Sequence, residues 1–277
     1  MSEPRPDTLN ATGAARPPAV VHFWLIAMAV MSPTFMVVMA STVVNVALPY
    51  IAGNVSASTE EATWALTSYL AANAVMMPIT CWLSRRFGRK NVLLACIVVF
   101  SLGSLACGVA HSLAFLIASR VVQGLGGGAM QPLSQAILME SFPQNRRSTA
   151  MSLYGIAVIF APIIGPTLGG WIVDHYSWRW VFYINLPVGL LSLFLVQTFV
   201  EDPPYLRAAP AARVDAAGLG LLVIWVASLL VVLDKGQQED WLDSQMIRTL
   251  LTVFVCAFLA FIAWELRARD PIVNLRI

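Results

Sequence analysis

Apolar residues run through this 277-residue chain in blocks that few charges interrupt. After Arg16 the next charged residue is Glu60, and after Glu61 the next is Arg85. A helix that crosses a bilayer needs about 20 mainly apolar residues. Eight blocks reach that length, near 21–46, 62–83, 91–110, 113–140, 148–172, 179–200, 215–233 and 246–266. Hydrocarbon offers no water to an unpaired backbone amide, so these blocks are expected to be helices. The pattern predicts an all-α integral membrane protein with eight spans.

Composition agrees with the pattern: 58% of residues are hydrophobic and 12% charged, against about 25% charged in a soluble domain. The net charge of +2 gives no case for nucleic acid, because the basic residues have a topological explanation. With the N-terminus inside, the inner segments hold Arg5, Arg16, Arg85, Arg86, Arg89, Lys90, Arg146, Arg147, Arg207, Arg213, Arg267, Arg269 and Arg276. The outer segments and span edges hold Lys235, Arg179 and Arg248, the asymmetry expected of a cytoplasmic N-terminus. Trp24, Trp64, Trp82, Trp171, Trp178, Trp180, Trp241 and Trp264 fall near span ends, where amphipathic rings prefer the interface.

Residues 1–19 read as a disordered cytoplasmic tail without a cleavable signal. Residues 20–200 form a six-helix bundle, and 201–277 a cytoplasmic linker with two additional transmembrane helices; the Pro-rich stretch 201–214 marks the boundary. Cys81, Cys96, Cys107 and Cys256 lie in or beside spans at spacings that match no metal pattern, and no disulfide is expected. His22, His111 and His175 sit at three different span edges, and no embedded His/Asp/Glu cluster or phosphate loop points to an enzyme.

Five short motifs stand in order on successive helices. The first span ends Ser41-Thr42-Val43-Val44-Asn45-Val46-Ala47-Leu48-Pro49, and the second closes on a basic loop, Cys81-Trp82-Leu83-Ser84-Arg85-Arg86-Phe87-Gly88-Arg89-Lys90. The fourth carries Arg120-Val121-Val122-Gln123-Gly124, and the fifth Ala161-Pro162-Ile163-Ile164-Gly165-Pro166-Thr167-Leu168-Gly169-Gly170. The sixth opens Trp178-Arg179-Trp180-Val181-Phe182-Tyr183-Ile184-Asn185-Leu186-Pro187. Together they resemble the fourteen-helix drug:proton antiporter branch of the major facilitator superfamily, from about Val20 to Ile277. The resemblance implies a six-helix N-terminal bundle plus two linker helices, with a second six-helix half missing from this chain. It also implies multidrug efflux across the bacterial inner membrane in exchange for protons, with no cofactor, and a partnership with a periplasmic adaptor protein and an outer-membrane channel. An exporter of one metabolite or siderophore and a non-transporting membrane scaffold stay open as alternatives.

The candidate residues carry two readings each. Arg120 is a charge at membrane depth, costing at least about 2.5–3.5 kcal/mol unless a cavity or partner receives it. With Gln123 and Gly124 it either tunes proton coupling at a central cavity or ties helices together as a buried structural group. Pro162 and Pro166 weaken the helix ladder, while Gly165, Gly169 and Gly170 bare a face for close packing. Ser41, Thr42 and Asn45, and farther along Gln131 and Gln135, either line a polar path or bond between helices. Arg85, Arg86, Gly88, Arg89 and Lys90 form a cytoplasmic gating loop or simply set topology. Gly124, Gly126, Gly127 and Gly128 strip the fourth helix for close approach or bending. Met31, Phe35, Met36, Met39, Tyr69, Met76 and Met77 are available to an adaptable apolar cavity.

The sequence departs from the branch at Ala40, where an aspartate is usual, and at Cys81 and Arg85, where many members have glycine and aspartate. No Asp or Glu lies deep in the first six spans; Glu140 and Asp174 sit near their ends. That absence, with Arg120 present, leans toward neutral or weakly acidic amphiphiles as substrates.

Overall fold

The computed structural model describes residues 20–202 and 215–268. The expected tail 1–19, the centre of the 201–214 connection and the stretch after 268 lie outside the described residues. Among the described residues, eight helices are long and apolar enough to cross a bilayer. They are α1 Val20–Asn54, α2 Thr59–Phe87, α3 Arg89–Gly108, α4 Leu113–Ser141, α5 Gln144–His175, α6 Trp180–Phe199, α7 Ala216–Lys235 and α8 Gln245–Glu265. Each expected block is a helix. The clearest difference is at the end of α1, which continues through Pro49 to Asn54. Cys81, Cys96, Cys107 and Cys256 are free thiols.

The prolines act unequally. α4 breaks at Ala129 and α6 at Ile184. Each break falls one residue after a carbonyl that a proline leaves unbonded: Pro132 lacks the N–H for Gly128, and Pro187 the N–H for Tyr183. Pro162 and Pro166 instead lie within the uninterrupted helix Arg147–His175.

Small residues set how closely the helices approach. A Cβ added at Gly126 would stand 2.5 Å from the Phe100 amide nitrogen and 2.8 Å from the Cys96 carbonyl oxygen of α3. One at Gly124 would meet the Tyr69 carbonyl of α2 at 2.5 Å, and one at Gly128 would strike the Asn73 carbonyl. α4 is therefore wedged between the backbones of α2 and α3, and its glycines serve close approach. On the other side of the bundle α1 packs against α5 and α6, with the Ser192 hydroxyl donating to Ser32 at 2.8 Å.

α7 and α8 form a hairpin in which Trp225 packs edge-on against Phe258 at 5.3 Å. α7 docks on α2. Where they meet, the Thr67 hydroxyl donates to Asp234. The Lys235 ammonium donates to the Glu60 carbonyl at 3.3 Å, to the Thr63 hydroxyl and to Gln238.

Gly126→Val is expected to cost about 1–3 kcal/mol, because its carbons must displace α3 backbone. Gly155→Ala, where nothing lies within 4 Å, is expected to be neutral or stabilising by up to about 1 kcal/mol. Thermal unfolding of both variants in detergent checks the contrast.

Candidate functional site

Arg120 sits on α4 with no exposed surface. Its Nε donates to the Ala65 carbonyl of α2 at 3.0 Å, and its Nη1 donates to Gln123 Oε1 at 2.6 Å. The guanidinium carbon lies 4.1 Å from the centre of the Tyr69 ring and 5.9 Å from that of Phe182, so two π faces share the charge. Gln123 then donates through Nε2 to Ser104 on α3 at 3.0 Å. Asn185 on α6 donates to the same hydroxyl at 3.0 Å, and Ser104 donates to the Phe182 carbonyl at 2.9 Å. One polar chain thus links α2, α4, α3 and α6. In this conformation Arg120 opens onto no cavity. Its Nη2 has no hydrogen-bond partner among the described residues, and neither has Asn185 Oδ1. Two buried polar atoms without partners mark a network with spare bonding capacity.

The glycines of α5 meet α1. A Cβ on Gly165 would collide with the Thr42 hydroxyl and lie 3.0 Å from Thr42 Cβ. One on Gly169 would lie 2.9 Å from Val43 Cγ1 and 3.2 Å from the Val43 carbonyl. Gly170 has room, its nearest neighbour being Val46 Cγ1 at 3.9 Å. Ser41 and Thr42 donate back to carbonyls of their own helix, Val38 at 2.7 Å and Met39 at 2.9 Å. Asn45 is exposed beside them. Gln131 is half-buried and Gln135 exposed, with Tyr154 of α5 and Thr34 of α1 near Gln135. The candidate polar residues therefore divide into one sealed network and a set of half-buried or exposed side chains spread over α1 and α4. Of the candidate cavity residues, Met36, Met39 and Tyr69 are in the core, whereas Met77 is exposed on α2.

The basic loop is held at both sides. Gly88 has φ 82° and ψ 153°, a region open essentially to glycine alone. A Cβ there would also strike the Asp202 carboxylate. Asp202 accepts the Lys90 backbone N–H at 2.9 Å, capping α3 from the far end of α6. Lys90 Nζ donates to the Gln197 carbonyl at 2.7 Å, and Arg89 pairs with Glu140 at the end of α4. At the opposite end Tyr50 donates to Asp174 at 3.0 Å. Sequence reasoning missed Ser104, Asn185 and Asp202. Only Asn185 carried a signal, as a polar residue in the motif opening α6.

The sequence profile of the Major Facilitator Superfamily matches residues 30–268. The chain belongs to this superfamily. The family and its fold are those of membrane transporters rather than enzymes. The chain is 43% identical over 244 residues to "Multidrug export protein EmrB" of Escherichia coli strain K12, covering 88% of this chain and 47% of that protein. It is 39% identical to "Fatty acid resistance protein FarB" of Neisseria gonorrhoeae, covering 88% of this chain and 48% of the relative. The chain spans about half the length of the curated relatives it matches. Among solved structures the family fold recurs in the POT family transporter PepTSo, with a TM-score of 0.63 at 15% identity over 90% of this chain and 52% of that one. The proton:xylose symporter XylE gives 0.59 at 19% identity over 79% and 54%.

Two expectations follow from the geometry. Arg120→Lys keeps the charge but cannot reach Ala65 and Gln123 with one planar fork, so it is expected to lose about 1.5–3 kcal/mol of stability, measurable as a lowered Tm. Gly165→Ala is expected to lower Tm in the natural background and much less with Thr42→Ala. The coupling energy of that double-mutant cycle is expected to be about 0.5–3 kcal/mol; a value near zero would mean that Thr42 does not form the seam.

Proposed function

We propose that this chain is the N-terminal bundle and linker pair of a multidrug exporter of the bacterial inner membrane, driven by the proton gradient without a cofactor. The observation that carries the reading is the 43% identity over 244 residues to a protein named for multidrug export. The geometry supports it. Substrate sites in such folds lie at the midplane between two repeats, and Asn45 and Gln135 are exposed polar side chains available to a second half. α5 carries Ile156, Ile159, Phe160 and Ile163 exposed, an apolar face broad enough to need a partner or lipid. In this reading the α1–α5 seam stays closed while the halves rock, and the Arg120 network holds α2, α3, α4 and α6 together as one body.

Coupling falls to Arg120 with its unsatisfied neighbours, to Glu140 or Asp174, or to the other half, since Ala40 offers no proton site. The N-terminus faces the cytoplasm, where the arginine-rich ends meet anionic lipid. A periplasmic adaptor and an outer-membrane channel complete the route. A narrower reading, export of one class of amphiphile, draws on the 39% identity to a fatty acid resistance protein.

The test is a pH-gradient assay in inverted vesicles carrying the full-length transporter. Drug addition is expected to collapse the gradient, and Arg120→Ala to abolish that response in protein that still inserts. A fatty acid as the sole active compound would favour the narrower reading. No collapse with any compound, in vesicles with folded protein and a sound gradient, would overturn proton-coupled export.

A further inference from the structure

We propose that the groove between α2 and α7 binds lipophilic cations, with Asp234 receiving the charged head. The groove is a shallow, open cleft of about 400 Å³ on the surface of the helix bundle. Leu70, Asn73 and Met77 line it from α2, and Leu230, Leu233 and Asp234 from α7. These positions recur at helical spacing, so each helix gives the groove one continuous stripe. The helices run in opposite directions, which fixes the polarity of the site. Asp234 lies level with Thr67, whose hydroxyl it accepts, and the apolar walls continue toward Met77. From Leu70 to Met77 the groove extends about 10 Å along α2. A carboxylate at the shallow end and hydrocarbon below it is complementary to an amphiphile whose cation stays near the interface.

The neighbouring charges favour a cation. Lys235 is 2% exposed, and its ammonium is turned toward the start of α2, where the Glu60 carbonyl, Thr63, Gln238 and the Trp64 ring at 5.0 Å engage it. The carboxylates of Asp234, Glu239 and Glu60 all act on that one ammonium, leaving the local sum negative. Asp234 is exposed, whereas Lys235 is not. The groove therefore presents the carboxylate and not its counter-ion.

The site deepens the export reading, on which its physiological use rests, yet binding can be measured without transport. The probe is tetraphenylphosphonium, titrated by equilibrium dialysis against the protein in phosphatidylcholine nanodiscs, with uncharged triphenylphosphine oxide as the comparison. Asp234→Asn is expected to weaken the cation at least tenfold and leave the neutral compound unchanged, while Asp234→Glu stays within threefold of the natural protein. Met77→Trp fills the deep end without touching the carboxylate and is expected to weaken both compounds. Unchanged cation binding in Asp234→Asn overturns the proposal. So does equal loss of both compounds in that variant, which would make Asp234 a tether for α7 only. Preserved, Asp234-dependent binding in a protein that fails the vesicle assay would sink the export reading and leave the groove standing.

Discussion

A guanidinium sealed between helices must be compensated where it stands, because water cannot reach it and leaving it unpaired costs several kcal/mol. Arg120 meets that demand with groups from the helices around it: the Ala65 carbonyl and Tyr69 ring of α2, Gln123 of its own helix, and the Phe182 ring of α6. Ser104 in turn accepts from the glutamine and from Asn185, which binds α3 and α6 to the cluster. Such short bonds between side chains and neighbouring helices require the helices to be close. The glycines of α4 permit that closeness: Gly124 and Gly128 admit α2, and Gly126 admits α3. The charge and the bare face are two parts of one constraint. The glycines without the arginine would leave a tight seam with no polar specificity, and the arginine without the glycines would have its partners out of reach.

The helices were legible because hydrocarbon forces all backbone bonding into the segment itself, so charge-free length is close to a sufficient signal. Close packing at Gly165 and Gly169 was legible for a similar reason: small residues four apart expose a backbone, and the structure puts Thr42 and Val43 of α1 against it. The partners of Arg120 were not legible. A backbone carbonyl such as that of Ala65 has no residue-type signature, and the face of Tyr69 reads as apolar until the fold brings a cation over it. The same blindness left the side of Met36 and Met39 open, since a run of methionines on an all-apolar helix does not say which side meets its neighbours. Asp234 was missed by one position, because the expected span stopped at 233 and left its carboxylate in the loop. Span ends are where a one-residue shift decides whether a charge faces lipid or water.

The two ends of the bundle are fastened by different chemistry, and α2 joins them. At the arginine-rich end Gly88 adopts a backbone that side chains exclude, and Asp202 reaches from α6 to cap α3. That cap supplies a carboxylate where the loop itself has Arg85. At the opposite end Asp234 and Lys235 hold the linker hairpin on the first turns of α2. Between them α2 presents Ala65 and Tyr69 to Arg120. Any rotation of α2 therefore has to break or carry all three contacts.

That arrangement assigns the linker hairpin mechanically to the six-helix bundle. Lys235 draws on the backbone of α2 at Glu60 as well as on side chains, so its tie to the bundle survives loss of any one hydroxyl. A helix pair fixed in this way must travel with α2. The middle of the seam between α1 and α5, by contrast, is made of van der Waals contact, since Thr42 spends its hydrogen on carbonyls of its own helix and the Tyr50–Asp174 bond lies at the seam's end. Contacts without directional bonds can slide by fractions of an ångström at small cost, whereas the bonds around Arg120 cannot. The structure thus contrasts a polar block, α2, α3, α4 and α6 with α7 docked on it, with the apolar middle of the α1–α5 seam around Val43, Gly165 and Gly169. Force on one helix of the polar block reaches the others through bonds, whereas the middle of the seam absorbs sub-ångström adjustment without opening.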